Sequence, residues 1–70
     1  MTQHDARMTT FCHRVRSEYL EMPGLRLSAI QASRLWALDQ QTSELILDTL
    51  MLSGFLSRNA GGLYVRASHG

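Results

Sequence analysis

The stretch from Leu27 to Leu56 carries two helical apolar stripes so close together that only a tight turn fits between them. Ser28 is followed three residues on by Gln31, an S-x-x-Q capping box in which hydroxyl and amide each satisfy a backbone N–H left free at a helix start. Ala32, Leu35 and Trp36 then fall at i, i+3 and i+4, the stripe of a helix with one buried face. The pattern breaks at Ala37-Leu38, and Asp39 offers a second N-cap immediately before a new run. In that run Ser43, Ile46, Leu47 and Leu50 again share one face, and Gly54 sits where a left-handed residue ends a helix. Two helices held this close must pack against each other, and a third element must cover the apolar surface they leave.

The third element precedes them. Met8, Phe11, Cys12, Val15, Tyr19 and Met22 form one stripe at spacings of three and four, and Pro23-Gly24 stops the helix. Leu25-Arg26-Leu27 is a short extended piece of period two. After Gly54 the period changes from 3.6 to 2 through Phe55–Arg58 and Leu63–Arg66. Asn59-Ala60-Gly61-Gly62 lies between and tolerates positive φ, so the chain here predicts a β-hairpin. The expected architecture is mainly α with a small β-hairpin: helices near residues 8–22, 28–37 and 40–53, then a hairpin turning at Asn59–Gly62. Residues 7–67 form the expected domain, 1–6 an N-terminal tail and 68–70 a C-terminal tail. The predicted core is Phe11, Val15, Tyr19, Ala32, Trp36, Leu38, Ile46, Leu47, Leu50, Leu56 and Tyr64.

Composition narrows the function classes. Seventy residues allow one domain, close to the lower limit for a core without staples. The single cysteine excludes an internal disulfide, and a reducing cytoplasmic setting is expected. No apolar run reaches the roughly 18 residues of a membrane span, and no signal-peptide h-region is visible at the N-terminus. His4, His13 and His69 show no metal-ligand spacing with Cys, Asp or Glu, so no metal or cofactor is expected. Cys12 and His13 are adjacent, diverge by about 100 degrees on a helix, and make no nucleophile–base pair. No catalytic constellation remains and an enzyme is not expected; the chain reads as a binding domain.

The segment LSAIQASRLWALDQQTSELILDTLMLSGFLSRNAGGLYVR resembles the winged helix-turn-helix domains of bacterial transcription regulators. Their pattern is helix, short turn, recognition helix, a Gly-aliphatic pair and a two-stranded wing, and the resemblance covers roughly residues 11–67. It implies a double-stranded DNA partner, with the start of the second helix facing base edges and the wing and flanking helix on phosphates. By position, the base-facing residues are then Gln40, Gln41, Thr42, Glu44 and Leu45, with Asp48 one turn further. Gln suits adenine and Glu suits cytosine N4. Arg26, Arg34, Arg58 and Arg66 are the implied phosphate ligands. In such a fold Leu25–Leu27 is expected to pair with the wing.

The sequence departs from that pattern in charge. No basic residue lies between Arg34 and Arg58, whereas Asp39, Glu44 and Asp48 are acidic. Carboxylates facing phosphate repel it and release no counterions. A second class therefore stands beside the first: a protein-interaction module, its partner another protein or a second copy in a homodimer, using Leu45, Asp48 and Leu52 on the same helix, with Leu45 and Leu52 seven residues apart on one face.

Overall fold

The computed structural model describes the backbone of residues 2–67 and the side chains from Arg7 onward. Three helices, α1 (Thr2–Glu21), α2 (Ala29–Leu35) and α3 (Gln40–Leu52), precede two strands, β1 (Leu56–Arg58) and β2 (Tyr64–Arg66). The fold is mainly α with one antiparallel hairpin, as expected. Helix α1 begins at Thr2, ahead of the start read from its apolar stripe, because helical backbone can run on beyond the last residue that the core needs. The expected C-terminal tail, Met1, and the side chains of residues 2–6 lie outside the described residues. Among the described residues, no helix is long and apolar enough to cross a membrane.

Local chemistry sets each boundary. At α2 the capping box is complete: Gln31 N–H donates to Ser28 Oγ at 3.1 Å, and Ser28 N–H donates to Gln31 Oε1 at 3.0 Å. The helix ends sooner than the stripe suggests, with Trp36 as its C-cap and Ala37 in the left-handed region at φ 55°. Leu38 N–H then reaches back to the Ser33 carbonyl at 2.9 Å. At α3 the Asp39 carboxylate accepts from Thr42 N–H at 3.2 Å. The far end of α3 closes with Gly54 at φ 88°, Gly54 N–H on Met51 O and Phe55 N–H on Leu50 O, both at 3.0 Å. That pair of bonds is a Schellman motif, and it satisfies carbonyls that the helix leaves free.

The hairpin pairs Leu56 with Arg66, Ser57 with Val65 and Arg58 with Tyr64. Its turn is held by Asn59, whose side-chain oxygen accepts from Gly61 N–H at 3.0 Å and Leu63 N–H at 2.9 Å. On the other side of β2, Leu27 makes a two-way antiparallel bridge with Tyr64: Leu27 N–H to Tyr64 O at 3.2 Å and Tyr64 N–H to Leu27 O at 2.7 Å. The expected pairing of the extended piece with the hairpin is thus present, and β2 lies between Leu27 and β1.

One apolar core joins all these elements: Val15, Tyr19, Leu27, Ala32, Trp36, Ile46, Leu47, Leu50, Leu56 and Tyr64. Two of the predicted core residues, Phe11 and Leu38, pack against it but are only half-buried. Phe11 lies on the stretch of α1 upstream of Val15, and Leu38 lies in the turn, where a side chain has protein on one side only. Leu27 was not on the predicted core; its bridge to Tyr64 carries it inward. Ser43 follows the α3 stripe into the core, where its hydroxyl has no hydrogen-bond partner.

Two left-handed residues end the two helices of the turn unit, one a glycine and one not, so they should respond oppositely to substitution. Gly54→Ala meets no atom within 4 Å, so its cost is backbone strain alone, about 1 kcal/mol. Ala37→Gly relieves the same strain, partly offset by a freer unfolded chain, for a net gain of about 0.5 kcal/mol. Thermal melts should show the first variant lower and the second higher than the parent, by several degrees at most. The same sign for both would contradict the helix-end geometry.

Candidate nucleic-acid interface

The outer face of α3 follows from its buried one. Because Ser43, Ile46, Leu47 and Leu50 face the core, Gln40, Gln41, Glu44 and Leu45 are turned to solvent. Gln40 Nε2 donates to Glu44 Oε2 at 3.4 Å, so these two side chains run along the helix together. Thr42 does not join them: it is half-buried beside the cap, and its backbone N–H is taken by Asp39. Further along the outer side, Leu45 is 56% exposed and Leu52 86% exposed, so Leu52 stands clear of the hairpin.

The three carboxylates of this region are not equivalent. Asp39 is held by the cap, and hydrogen bonds from the Thr42 side chain and backbone lower its pKa by stabilising the charged form. Asp48 is half-buried and accepts a hydrogen bond from the Tyr64 hydroxyl at 2.8 Å. It belongs to the link between α3 and β2 more than to an outward-reading face. Glu44 alone is both exposed and bound only to a neighbouring side chain.

The four arginines divide into three places. Arg26, just before the bridge residue Leu27, and Arg34, in the last turn of α2, line one open surface groove of about 430 Å³ with Leu27, Gln31 and Leu35. Both are exposed, and neither side chain makes a hydrogen bond or ion pair with the described residues. Arg58, at the end of β1, lays its guanidinium 5.1 Å from the centre of the Tyr64 ring. It therefore stands beside the Tyr64–Asp48 contact and close to the outer side of α3. Arg66 is elsewhere. Its guanidinium lies 4.3 Å from the Phe55 ring centre, beyond the C-terminal end of α3. The 13 residues of α3 separate that end from Gln40 by about 20 Å. Arg16 of α1 shares the same ring at 4.9 Å. Spacing along the sequence gave no hint of that meeting.

Tyrosines tie the surface to the core. Tyr19, fully buried on α1, donates its hydroxyl proton to the Tyr64 carbonyl at 2.8 Å. Burial, with the neighbouring Tyr64 second, pushes its pKa up to about 12. The Tyr64 pKa is also raised, by burial first and then by its hydrogen bond to Asp48 and the charge there, while Arg58 pulls the other way. Among the described residues, no group of three or more His, Cys, Asp or Glu is placed to hold a metal ion. Cys12 is half-buried, and burial raises its pKa, which keeps the thiol protonated.

Comparison with protein-family models, with curated proteins and with solved structures finds no match. The order helix, bridge residue, helix, helix, hairpin, with β2 between Leu27 and β1, is compatible with a winged helix-turn-helix domain.

The raised tyrosine pKa values give stability a defined alkaline edge. The unfolded chain releases its tyrosine protons near pH 10, whereas the folded chain holds that of Tyr19 to about 12. Below about pH 10 both states keep the protons and stability is unaffected; above it the unfolded state binds fewer protons and stability falls as pH rises. Melting temperatures from pH 8 to about 12 should stay level and then drop, and Tyr19→Phe should make the drop shallower. The same variant should cost about 1 kcal/mol at neutral pH through the lost hydrogen bond. An equally steep alkaline drop in Tyr19→Phe would show that its proton is not the one involved.

Proposed function

We propose that this chain is a DNA-binding domain of the winged helix-turn-helix kind, acting as a transcriptional regulator or an accessory DNA-binding module in the bacterial cytoplasm. One observation carries the proposal: the first turns of α3 expose Gln40 and Gln41, while Arg26 and Arg34 stand beside the same turn unit with no acidic partner among the described residues. The glutamines supply the amide pairs that recognise adenine in the major groove, and Glu44 supplies an acceptor for cytosine. Arg26, Arg34 and Arg58 supply the phosphate contacts that set register. The three carboxylates remain negative and oppose phosphate, but Asp39 and Asp48 are held in place by hydrogen bonds from Thr42 and Tyr64, and Glu44 is hydrogen-bonded to Gln40 on the exposed face.

In the proposed complex, Arg34→Ala and Arg58→Ala should each weaken binding to all duplexes about equally. Each should also make the dependence of log affinity on log salt shallower by about one unit. Gln41→Ala should instead reduce discrimination at one base pair, by about 1–3 kcal/mol. Gel-shift titrations over a salt series measure all three; an arginine variant with an unchanged salt slope would remove that residue from the interface.

A second class is supported by Leu45 and Leu52, 56% and 86% exposed on one side of α3. Here the helix docks a protein partner, or a second copy, through that strip. The two classes separate on paired variants. For DNA binding, Glu44→Lys should raise background affinity by turning a repelling charge into one that releases a counterion. For protein docking, Leu45→Asp with Leu52→Asp should disperse any complex seen by sedimentation. DNA affinity unmoved by the lysine, together with a complex broken by the aspartates, would overturn the DNA proposal.

A further inference from the structure

Two surfaces of the helix-turn-helix unit are uncovered, and they are opposite in charge. The first is the open groove of about 430 Å³ at α2. Leu27 and Leu35 give it an apolar lining, Arg26 and Arg34 give it two positive charges, and no acidic residue lines it. Leu35 is exposed although it belongs to the apolar stripe of α2. The second surface is the outer ridge of α3. Gln41, Leu45, Asp48 and Leu52 follow one another at spacings of four, three and four, on the side of the helix away from the buried Ser43, Ile46, Leu47 and Leu50. Glu44 lies beside that ridge, one turn before Asp48. Asp48 holds the Tyr64 hydroxyl, with Arg58 over the same ring, whereas Glu44 has only the Gln40 amide. The ridge thus presents two exposed leucines and an acidic edge, and α3 has no basic residue.

Each surface lacks what the other presents. Leucines left in water forgo the free energy that burial would give, and arginines without a carboxylate at a groove select an acidic partner. Like surfaces do not solve this. Groove on groove sets Arg26 and Arg34 against their copies, and ridge on ridge sets Glu44 and Asp48 against theirs. We propose that the chain binds a second copy of itself, with the α3 ridge of one copy seated in the α2 groove of the other. Leu45 and Leu52 then meet Leu27 and Leu35, and Glu44 meets Arg26 and Arg34. The contact pairs unlike surfaces, so made in both directions at once it closes as a twofold dimer, and made in one direction it runs on as a chain. It rests on the docking reading of α3 and not on DNA binding. A copy engaged on both surfaces has Arg26, Arg34, Glu44 and Leu45 covered, and these cannot meet duplex DNA at the same time.

The test is sedimentation of the full chain without DNA. At low salt, about 0.01 M, the average mass should rise with concentration above that of one copy and fall back as salt is raised. Arg34→Glu and Glu44→Arg, both at exposed side chains, should each weaken self-association at least about tenfold, with helix content by circular dichroism unchanged. Mixed in equal amounts, the two variants should associate again, because each reversed charge then meets the other reversed charge and each native charge meets a native one. Leu35→Ser should also weaken association, although it lies outside α3. A chain that stays monomeric to about 1 mM, or a mixture no more associated than its components, would overturn the proposal. So would a complex that Arg34→Glu and Leu35→Ser leave intact while Leu45→Asp with Leu52→Asp disperses it. In that case α3 docks on another surface, and the docking class itself still stands.

Discussion

The Tyr64 peptide unit and side chain join α1, α3, β1 and the Leu27 bridge. Its N–H and C=O pair with Leu27, its carbonyl also accepts the Tyr19 hydroxyl of α1, and its own hydroxyl reaches Asp48 of α3. Around it β2 pairs with β1, and its ring packs in the core under Arg58. A hairpin of two three-residue strands would not stand in water by itself. Here it is held because Tyr64, the first residue of β2, exchanges hydrogen bonds with α1, with the bridge and with α3. The orientation of the hairpin relative to α3, on which any function of the hairpin's arginines depends, is therefore set by polar contacts on one residue as well as by core packing.

The helix-turn-helix unit is fixed differently, by the ends of its helices. Ala37 takes the left-handed conformation that usually falls to glycine, and the Leu38 N–H to Ser33 O bond closes the turn behind it. Asp39 then caps α3 at once. With so few residues between C-cap and N-cap, the crossing of α2 and α3 is dictated by backbone geometry before packing refines it. Ser43, buried on the core face of α3, keeps its hydroxyl unpaired.

What could be read from the sequence was whatever has a local cause. The capping box at Ser28, the cap at Asp39, the left-handed Gly54 and the turn at Asn59 each depend on residues within a few positions, and all were legible. The expected bridge at Leu27 came from the family resemblance and the period of two. Contacts between distant residues were not legible. Tyr64 and Asp48 lie 16 apart, so Asp48 counted as a free carboxylate on an outward face. Arg66 was grouped with the other wing arginine by the family resemblance and does share a hairpin face with Arg58, yet it lies at the opposite end of β2, over Phe55 with Arg16, a residue of α1 that no spacing rule would pair with it. Leu27 was missed as core because a three-residue extended piece does not reveal which of its faces is covered.

The charge distribution sets how DNA binding by this domain would have to work. With Arg26, Arg34 and Arg58 as the phosphate ligands, one copy releases few counterions, and the slope of log affinity against log salt is about −2.7. A protein that neutralises more phosphates shows a proportionally steeper slope. A single copy must then draw its selectivity from base contacts at Gln40, Gln41 and Glu44, and its occupancy from being held near its site. Tethering supplies that without any new contact to DNA, since a second linked binding event draws on an effective concentration in place of a bulk one. The apolar strip of Leu45 and Leu52 is a surface through which such tethering would act, provided it can be covered while the start of α3 stays open. Leu52 lies at the opposite end of α3 from Gln40, so a partner seated there leaves the reading end free, whereas one seated on Leu45 competes with DNA. The balance between those two leucines decides whether the two functional classes exclude each other or act together.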